Sequence, residues 1–391
     1  MHLDNAVNKS TNPRPGQVYN WPDGPDVYKG IPKHYTGQEV NPTNVLAVLR
    51  GDQSLKHRGK KVLESGPLDN IFVYLMTHGG PQVLAFPYGG YLFAKDIIAT
   101  FKDMYANRRY RQLVIHVEAC ESGSMFQNIM PPDIGVYAVA SSQPTQMSRV
   151  AGYDSKLMDF TAGYFAITWL NHTEDRHREL LDDQFDYIRS QTAKDYYDPY
   201  TGLKWHQNAG HYGNLSIGRL DIGQFEGPKP YKIATGGDSD HHNDDEHRET
   251  VSMRDVQVVV AEKRLLLAVS TSDKLRAIDQ LKHQLLGRQL VNKLFEQFAG
   301  VVGQLLSTTT TTMTTGLDSQ LLVDQELVSN CYELFVNTFQ SKCFNMNKNP
   351  YVLGKLNVFV NICEHLTARQ LAIALNQLVG QCETTNAIVG H

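Results

Sequence analysis

His78 and Cys120 are the residues whose types and positions could carry nucleophilic chemistry. Each follows a short apolar run. Thr77-His78-Gly79-Gly80 comes after Ile71–Met76 (IFVYLM), and Glu118-Ala119-Cys120-Glu121-Ser122-Gly123-Ser124 closes Leu113–Ala119 (LVIHVEA). Runs of this length suit strands buried on both faces of a parallel sheet. The carboxyl ends of neighbouring strands in such a sheet lie along one edge, where open α/β folds keep their sites. One crossover of 42 residues therefore brings the imidazole beside the thiol. A cysteine with a nearby histidine is the minimal apparatus for acyl transfer through a covalent intermediate. The backbone N–H groups of Gly79 and Cys120 are candidate donors to the oxyanion of such a reaction. A lone buried cysteine is often only a small apolar residue, so this reading depends on the elements that position it.

Those elements are legible in outline. Val136–Ala140 (VYAVA) is a third strand-like run, and Ile97, Ile98, Phe101, Met104 and Tyr105 repeat at helical spacing between the first two runs. Strand, helix, strand forms a right-handed crossover unit. Further helices are expected near 44–50, 155–172 and 176–194. Residues 1–235 thus read as one α/β domain with a mostly parallel sheet flanked by helices. Gly236–Thr250 (GGDSDHHNDDEHRET) is nearly devoid of apolar residues and opens an acidic linker over 236–272. Residues 273–391 change character: Leu275, Ile278, Leu281, Leu285, Leu290, Leu294 and Phe298 keep helical spacing, and an all-α domain is expected. Ser307–Gly316 (STTTTTMTTG) is low in complexity and reads as a flexible loop inside it.

Charge and cysteine usage limit the remaining possibilities. Residues 1–237 hold 24 basic and 24 acidic side chains, whereas 238–251 hold one basic and six acidic. No basic stripe marks a nucleic-acid surface, and no apolar run approaches the roughly 20 residues of a membrane span. Met1 to Pro15 is polar and proline-broken, without the features of a signal peptide. Asp240, His241, His242, Asp244 and His247 contain metal-ligand types, but a solvated linker explains them better; no metal or cofactor is expected. Cys120 stands alone, while Cys331, Cys343, Cys363 and Cys382 crowd into the tail, as one free thiol and a disulfide framework would. Disulfides imply an oxidising compartment, and sequons at Asn8, Asn171 and Asn214 are compatible with a secretory route.

Glu118–Phe126 (EACESGSMF) closely resembles the nucleophile motif of legumains, the asparaginyl endopeptidases, and His78-Gly79 resembles their catalytic His-Gly. Asp26-Val27-Tyr28-Lys29-Gly30, Tyr35-Thr36-Gly37, Leu46 to Asp52 (LAVLRGD) and Tyr212-Gly213-Asn214 are similar to further signatures of that family, in the same order. The tail cysteine spacings are similar to those of the legumain prodomain. The resemblance implies a caspase-like fold and a disulfide-bonded helical prodomain, paired Cys331–Cys363 and Cys343–Cys382. It implies Cys120 as nucleophile, His78 as acid and base, and Glu118 and Ser148 in a substrate pocket for asparagine. It also implies peptide and protein substrates, the chain's own prodomain as inhibitor, and a lysosomal, vacuolar or secreted location.

Four departures accompany the resemblance. The family's first strand and helix, with an asparagine that orients the histidine and a pocket arginine, have no counterpart before Met1–Asn12, so the chain reads as N-terminally truncated. Thr77 stands where legumains usually have aspartate, and Gly163 where they place a second pocket aspartate. Leu265–Asp273 (LLLAVSTSD) lacks the asparagine of an activating cut. These departures keep open a catalytically impaired relative acting as a binding or inhibitory protein. The lipid-anchor transamidase branch fits less well, because it needs no disulfide-bearing helical tail.

Overall fold

The computed structural model describes residues 1, 12–173, 176, 178–193, 195–197, 204–227, 250–310 and 325–389. The acidic tract with its histidines, the sequon at Asn8 and most of the threonine-rich segment lie outside these residues. The described chain forms two compact units, residues 1–267 and 268–391.

The strands of the first unit are β1 (Asn70–Met76), β2 (Gly79–Gly80), β3 (Val83–Ala85), β4 (Tyr91–Phe93), β5 (Gln112–Glu118) and β6 (Val136–Ala140). They continue with β7 (Arg149–Asp154), β8 (Asp159–Gly163), β9 (Asp195–Tyr197), β10 (Lys204–His206), β11 (Gly210–Gly213) and β12 (Thr250–Ser252). Its helices are α1 (Pro42–Arg50), α2 (Gln53–His57), α3 (Ala94–Ala106), α4 (Tyr164–Thr173), α5 (Leu181–Thr192), α6 (Gly223–Glu226) and α7 (Val256–Leu267).

The main sheet has the order β1-β5-β6-β11, with β1, β5 and β6 parallel and β11 antiparallel to β6. Alternation along β5 and β6 supplies two cores, because successive side chains point to opposite faces. Leu113, Ile115, Val117, Val136, Ala138 and Ala140 pack with α1 and α3 residues such as Leu49, Ile97 and Phe101. Val114, Tyr137 and Val139 pack on the other face with Phe165, Trp169, Phe185 and Ile188 of α4 and α5. His116 joins that second face edge-on to Phe165 and Trp169, and its burial depresses its pKa to about 3.

The three apolar runs are therefore β1, β5 and β6, and the crossover helix is α3. Asn41 caps α1 by accepting from the Asn44 N–H, with Pro42 at the first turn, where a missing donor costs nothing. Tyr105, expected on the apolar face of α3, is 46% exposed. The helix expected at 155–172 is only half present: β8 occupies Asp159–Gly163 and α4 starts at Tyr164. The helical pattern was overridden by strand pairing: β8 folds back on β7 as an antiparallel hairpin that closes at Asp154 and Asp159, and β12, from nearly a hundred residues later, covers the other edge of β7.

The second unit contains α8 (Thr271–Thr310), α9 (Gln325–Lys342), α10 (Asn357–Cys363) and α11 (Ala368–Val389). Phe295, Phe298, Phe335, Phe339 and Phe359 stack into one aromatic core. Cys331 is bonded to Cys363 and Cys343 to Cys382, with Cα separations of 5.8 and 4.8 Å. These bridges tie α9 to α10, and the turn just after α9 to α11. The apolar stripe read along α8 is buried only in its later part: Leu294 and Phe298 are core, whereas Leu275 is 62% exposed. No described helix is long and apolar enough to cross a membrane.

Candidate active site

Register sets the site. In the parallel pair β1–β5, Met76 stands opposite Glu118, so both strands end at the same level. The Thr77 N–H extends the ladder by donating to the Glu118 carbonyl at 3.1 Å. His78-Gly79 and Ala119-Cys120 then leave the sheet side by side. A β-carbon on Gly79 would lie 2.3 Å from the Cys120 carbonyl oxygen, a clash with backbone that cannot move aside. Glycine is required where two main chains pass this closely.

The chain after His78 is fixed by the small antiparallel sheet β2-β3-β4. The His78 carbonyl accepts from the Ala85 N–H at 2.8 Å, and the Thr77 hydroxyl donates to the Ala85 carbonyl. The donor at position 77 explains one departure from the family pattern: an ionised aspartate could not make that bond. The His78 side chain is half-buried, and its Nδ1, which is buried, has no hydrogen-bond partner among the described residues. Burial, with the nearby Arg254 charge, lowers its pKa to about 4.

Cys120 is free, 1% exposed and seated against Ser148. The Ser148 N–H points at its sulfur at 3.4 Å, and the thiol reaches the Ser148 carbonyl at 3.8 Å. Burial pushes the thiol pKa above its ordinary value, and the Arg254 charge opposes that shift. Glu121, the next residue, adopts φ +58°, a left-handed conformation uncommon outside glycine. This turn opens a 3₁₀ segment, Ser122–Met125, two residues after Cys120. Beneath it lies a hydroxyl layer. Ser142 donates to the Ala119 carbonyl at 3.0 Å, and the single Ser141 hydroxyl proton lies within reach of that carbonyl at 3.2 Å and of the Ser148 hydroxyl at 3.1 Å. Ser148 thus meets the thiol through its main chain, with its hydroxyl turned to Ser141.

Glu118 is fully buried. Its carboxylate accepts from the Tyr74 hydroxyl at 2.5 Å and from the Ala166 N–H, at the start of α4, at 3.4 Å. Desolvation raises its pKa to about 7. Gly163 faces it: a β-carbon there would fall 1.9 Å from Glu118 Oε1. Glu118 occupies the space that a side chain at 163 would need, which accounts for a glycine at this point.

Arg254 is the principal neighbour of these residues that sequence reading missed. Its Nη2 donates to the Gly79 carbonyl at 2.8 Å and to Glu121 Oε2 at 2.9 Å. It lies beyond the acidic tract, in a segment expected to be linker, and no local pattern linked it to Cys120. Tyr74 was equally hidden inside an apolar run.

An imidazole and a buried thiol carried to one edge of an α/β sheet are the groups that a cysteine peptidase needs. The comparisons agree and are more specific. Residues 1–228 match the Peptidase C13 family and residues 279–378 match "Legumain, prodomain". Legumain from Rattus norvegicus is 32% identical over 380 residues, covering 93% of this chain and 79% of that one. Legumain from Bos taurus is 33% identical over 381 residues (93% and 80%), and the hemoglobinase of Schistosoma japonicum 32% over 373 (93% and 79%). A solved caspase-1 from Spodoptera frugiperda covers 44% of this chain and 67% of its own at 11% identity and a TM-score of 0.29, a likeness too slight to add to the fold read from the strands. The chain belongs to the Peptidase C13 family. It is a cysteine endopeptidase with a legumain-type prodomain.

Proposed function

We propose that this chain is an autoinhibited zymogen that, once activated, hydrolyses peptide bonds after asparagine, and after aspartate in acid. Cys120 gives its proton to the His78 imidazole and as thiolate attacks the scissile carbonyl, and the N–H groups of Gly79 and Cys120 receive the developing oxyanion. His78 gives its proton to the departing amine as the C–N bond breaks, leaving a thioester on Cys120. The neutral imidazole then takes a proton from water, which attacks the thioester and releases the acid and the free thiol. The observation that carries this reading is the parallel register of Met76 with Glu118, which delivers both loops to one place.

Glu118 is the proposed reader of the asparagine carboxamide, accepting from its N–H, with Ser148 supporting the same pocket. A pKa of about 7 leaves Glu118 partly protonated near neutrality and more fully so in acid. Residues 273–391 are proposed to inhibit the enzyme near neutral pH and release it in acid. Carboxylates of the acidic tract then lose their attraction for basic side chains such as Lys274 and Lys282 on α8. Function in an acidic lysosome-like or vacuolar compartment, or after secretion, fits that release and the paired cysteines.

The test is hydrolysis of matched peptides with Asn, Asp, Ala or Lys before the cut, by acid-treated protein, with Cys120→Ala as blank. Cleavage confined to the Asn peptide, with Asp following at low pH, is expected. Preference for Lys defeats the assignment, and no cleavage of any peptide favours an impaired relative that only binds.

A further inference from the structure

The segment from Thr250 to Leu267 follows the acidic tract, yet it is built into the catalytic unit. β12 pairs with β7 through Val251 and Val150, and the Met253 N–H donates to the Ser148 carbonyl at 2.9 Å. Val251, Met253 and Val259 pack around Cys120 and Val150. Between Met253 and the start of α7, Arg254 turns inward and is only 6% exposed. One of its nitrogens holds both the carbonyl after His78 and the carboxylate after Cys120.

We propose that Arg254 is a positioning residue of the catalytic centre: it ties the loop bearing His78 to the turn bearing Cys120 and supplies the fixed cation beside which the thiolate forms. This rests on the reading of Cys120 and His78 as the reacting pair. The ends of β1 and β5 carry those residues past the last ladder bond, so their spacing needs a separate tie, and Arg254 spans it with charge-assisted bonds. A guanidinium keeps its proton at any pH the fold survives, so its charge is constant where that of a histidine is not. The charged groups facing the thiol are Glu121 from the turn after β5, and Arg254 and Asp255 from the segment after β12. His78 comes from the loop after β1. Of these, Arg254 favours the thiolate, and the two carboxylates oppose it. A competent mature enzyme therefore keeps residues 250–267, and processing that removed them would remove its cation.

The test follows the ionisation of Cys120 in the full chain by the ¹³Cβ chemical shift of labelled cysteine, which needs no reagent to reach the buried sulfur. Arg254→Met should move the midpoint up by about one pH unit or more, and Arg254→Lys should move it less. Glu121→Gln, which removes an opposing charge and keeps the arginine, should move it down. Shifts of opposite sign separate electrostatics from disruption, since damage to the fold has no reason to reverse with the sign of the deleted charge. An unchanged midpoint in Arg254→Met, or the same direction in both variants, overturns the proposal. Should the midpoints move as expected in a protein that cleaves no peptide, the proteolytic reading fails while the role of Arg254 stands.

Discussion

Gly79 passes so close to Cys120 that a β-carbon on it would lie 2.3 Å from the cysteine carbonyl oxygen. The loop bearing His78 and the turn bearing Cys120 are therefore packed backbone against backbone, with the Ala119 β-carbon also only 2.9 Å from the same point. Gly79→Ala should separate them. A misplacement near 1 Å costs about 100-fold in rate, so kcat/KM on the Asn peptide is expected to fall by at least about 100-fold, with Thr77→Ala as a milder control. Retention of activity by Gly79→Ala would mean that the spacing of the two loops does not matter to the chemistry.

Gly163 and Glu118 form the second close approach. Gly163→Ala should push the Glu118 carboxylate away from Tyr74 and destabilise the protein by about 1–3 kcal/mol, the usual cost of overpacking. The preference for Asn over Ala before the cut should fall with it. Thermal unfolding and the ratio of kcat/KM values check the two effects separately.

Buried groups beside the site should make stability depend on pH in opposite senses. Glu118 has a folded pKa of about 7, above its ordinary 4.5. Its contribution is complete below 4.5 and is lost as pH rises through about 7. The full span is on the order of 3 kcal/mol. Glu118→Gln should flatten that loss in a series of denaturant melts, and an unaltered slope between these values would place the titration elsewhere. His78 is lowered from 6.5 to about 4, so its contribution is present above 6.5 and is lost as pH falls through about 4. His78→Gln should reduce acid destabilisation over that range.

The prodomain's two bridges close sequence separations of 32 and 39 residues. Cross-links over loops of this size typically contribute about 2–5 kcal/mol by restricting the unfolded chain. Replacing Cys331 and Cys363 by serine should lower the unfolding midpoint of residues 268–391 accordingly. The midpoint of the catalytic unit should stay unchanged when each unit is followed by hydrogen exchange.

The sequence showed what local pattern can show. Two apolar runs ending in His78 and Cys120 became β1 and β5, and helical spacing became α3 and α8. It misread 155–163 as helix, because Asp159–Gly163 is drawn into a hairpin with β7, and pairing with a partner strand outweighs helical spacing. The same blindness hid Arg254, whose partner Glu121 is 133 positions away. Gly163 was noticed only as a departure, since its cause is the Glu118 side chain and appears only when β5 and β8 are seen together.

The central claim is that Cys120 forms a covalent acyl intermediate with His78 assisting. The direct measurement is rapid acid quenching of activated protein turning over an Asn peptide, followed by mass spectrometry of the Cys120-containing fragment. The account predicts a thioester on Cys120 carrying the amino-terminal half of the substrate, absent in Cys120→Ala and formed far more slowly in His78→Ala. Product release at the parental rate by Cys120→Ala, or a full rate with no adduct on Cys120, would contradict it.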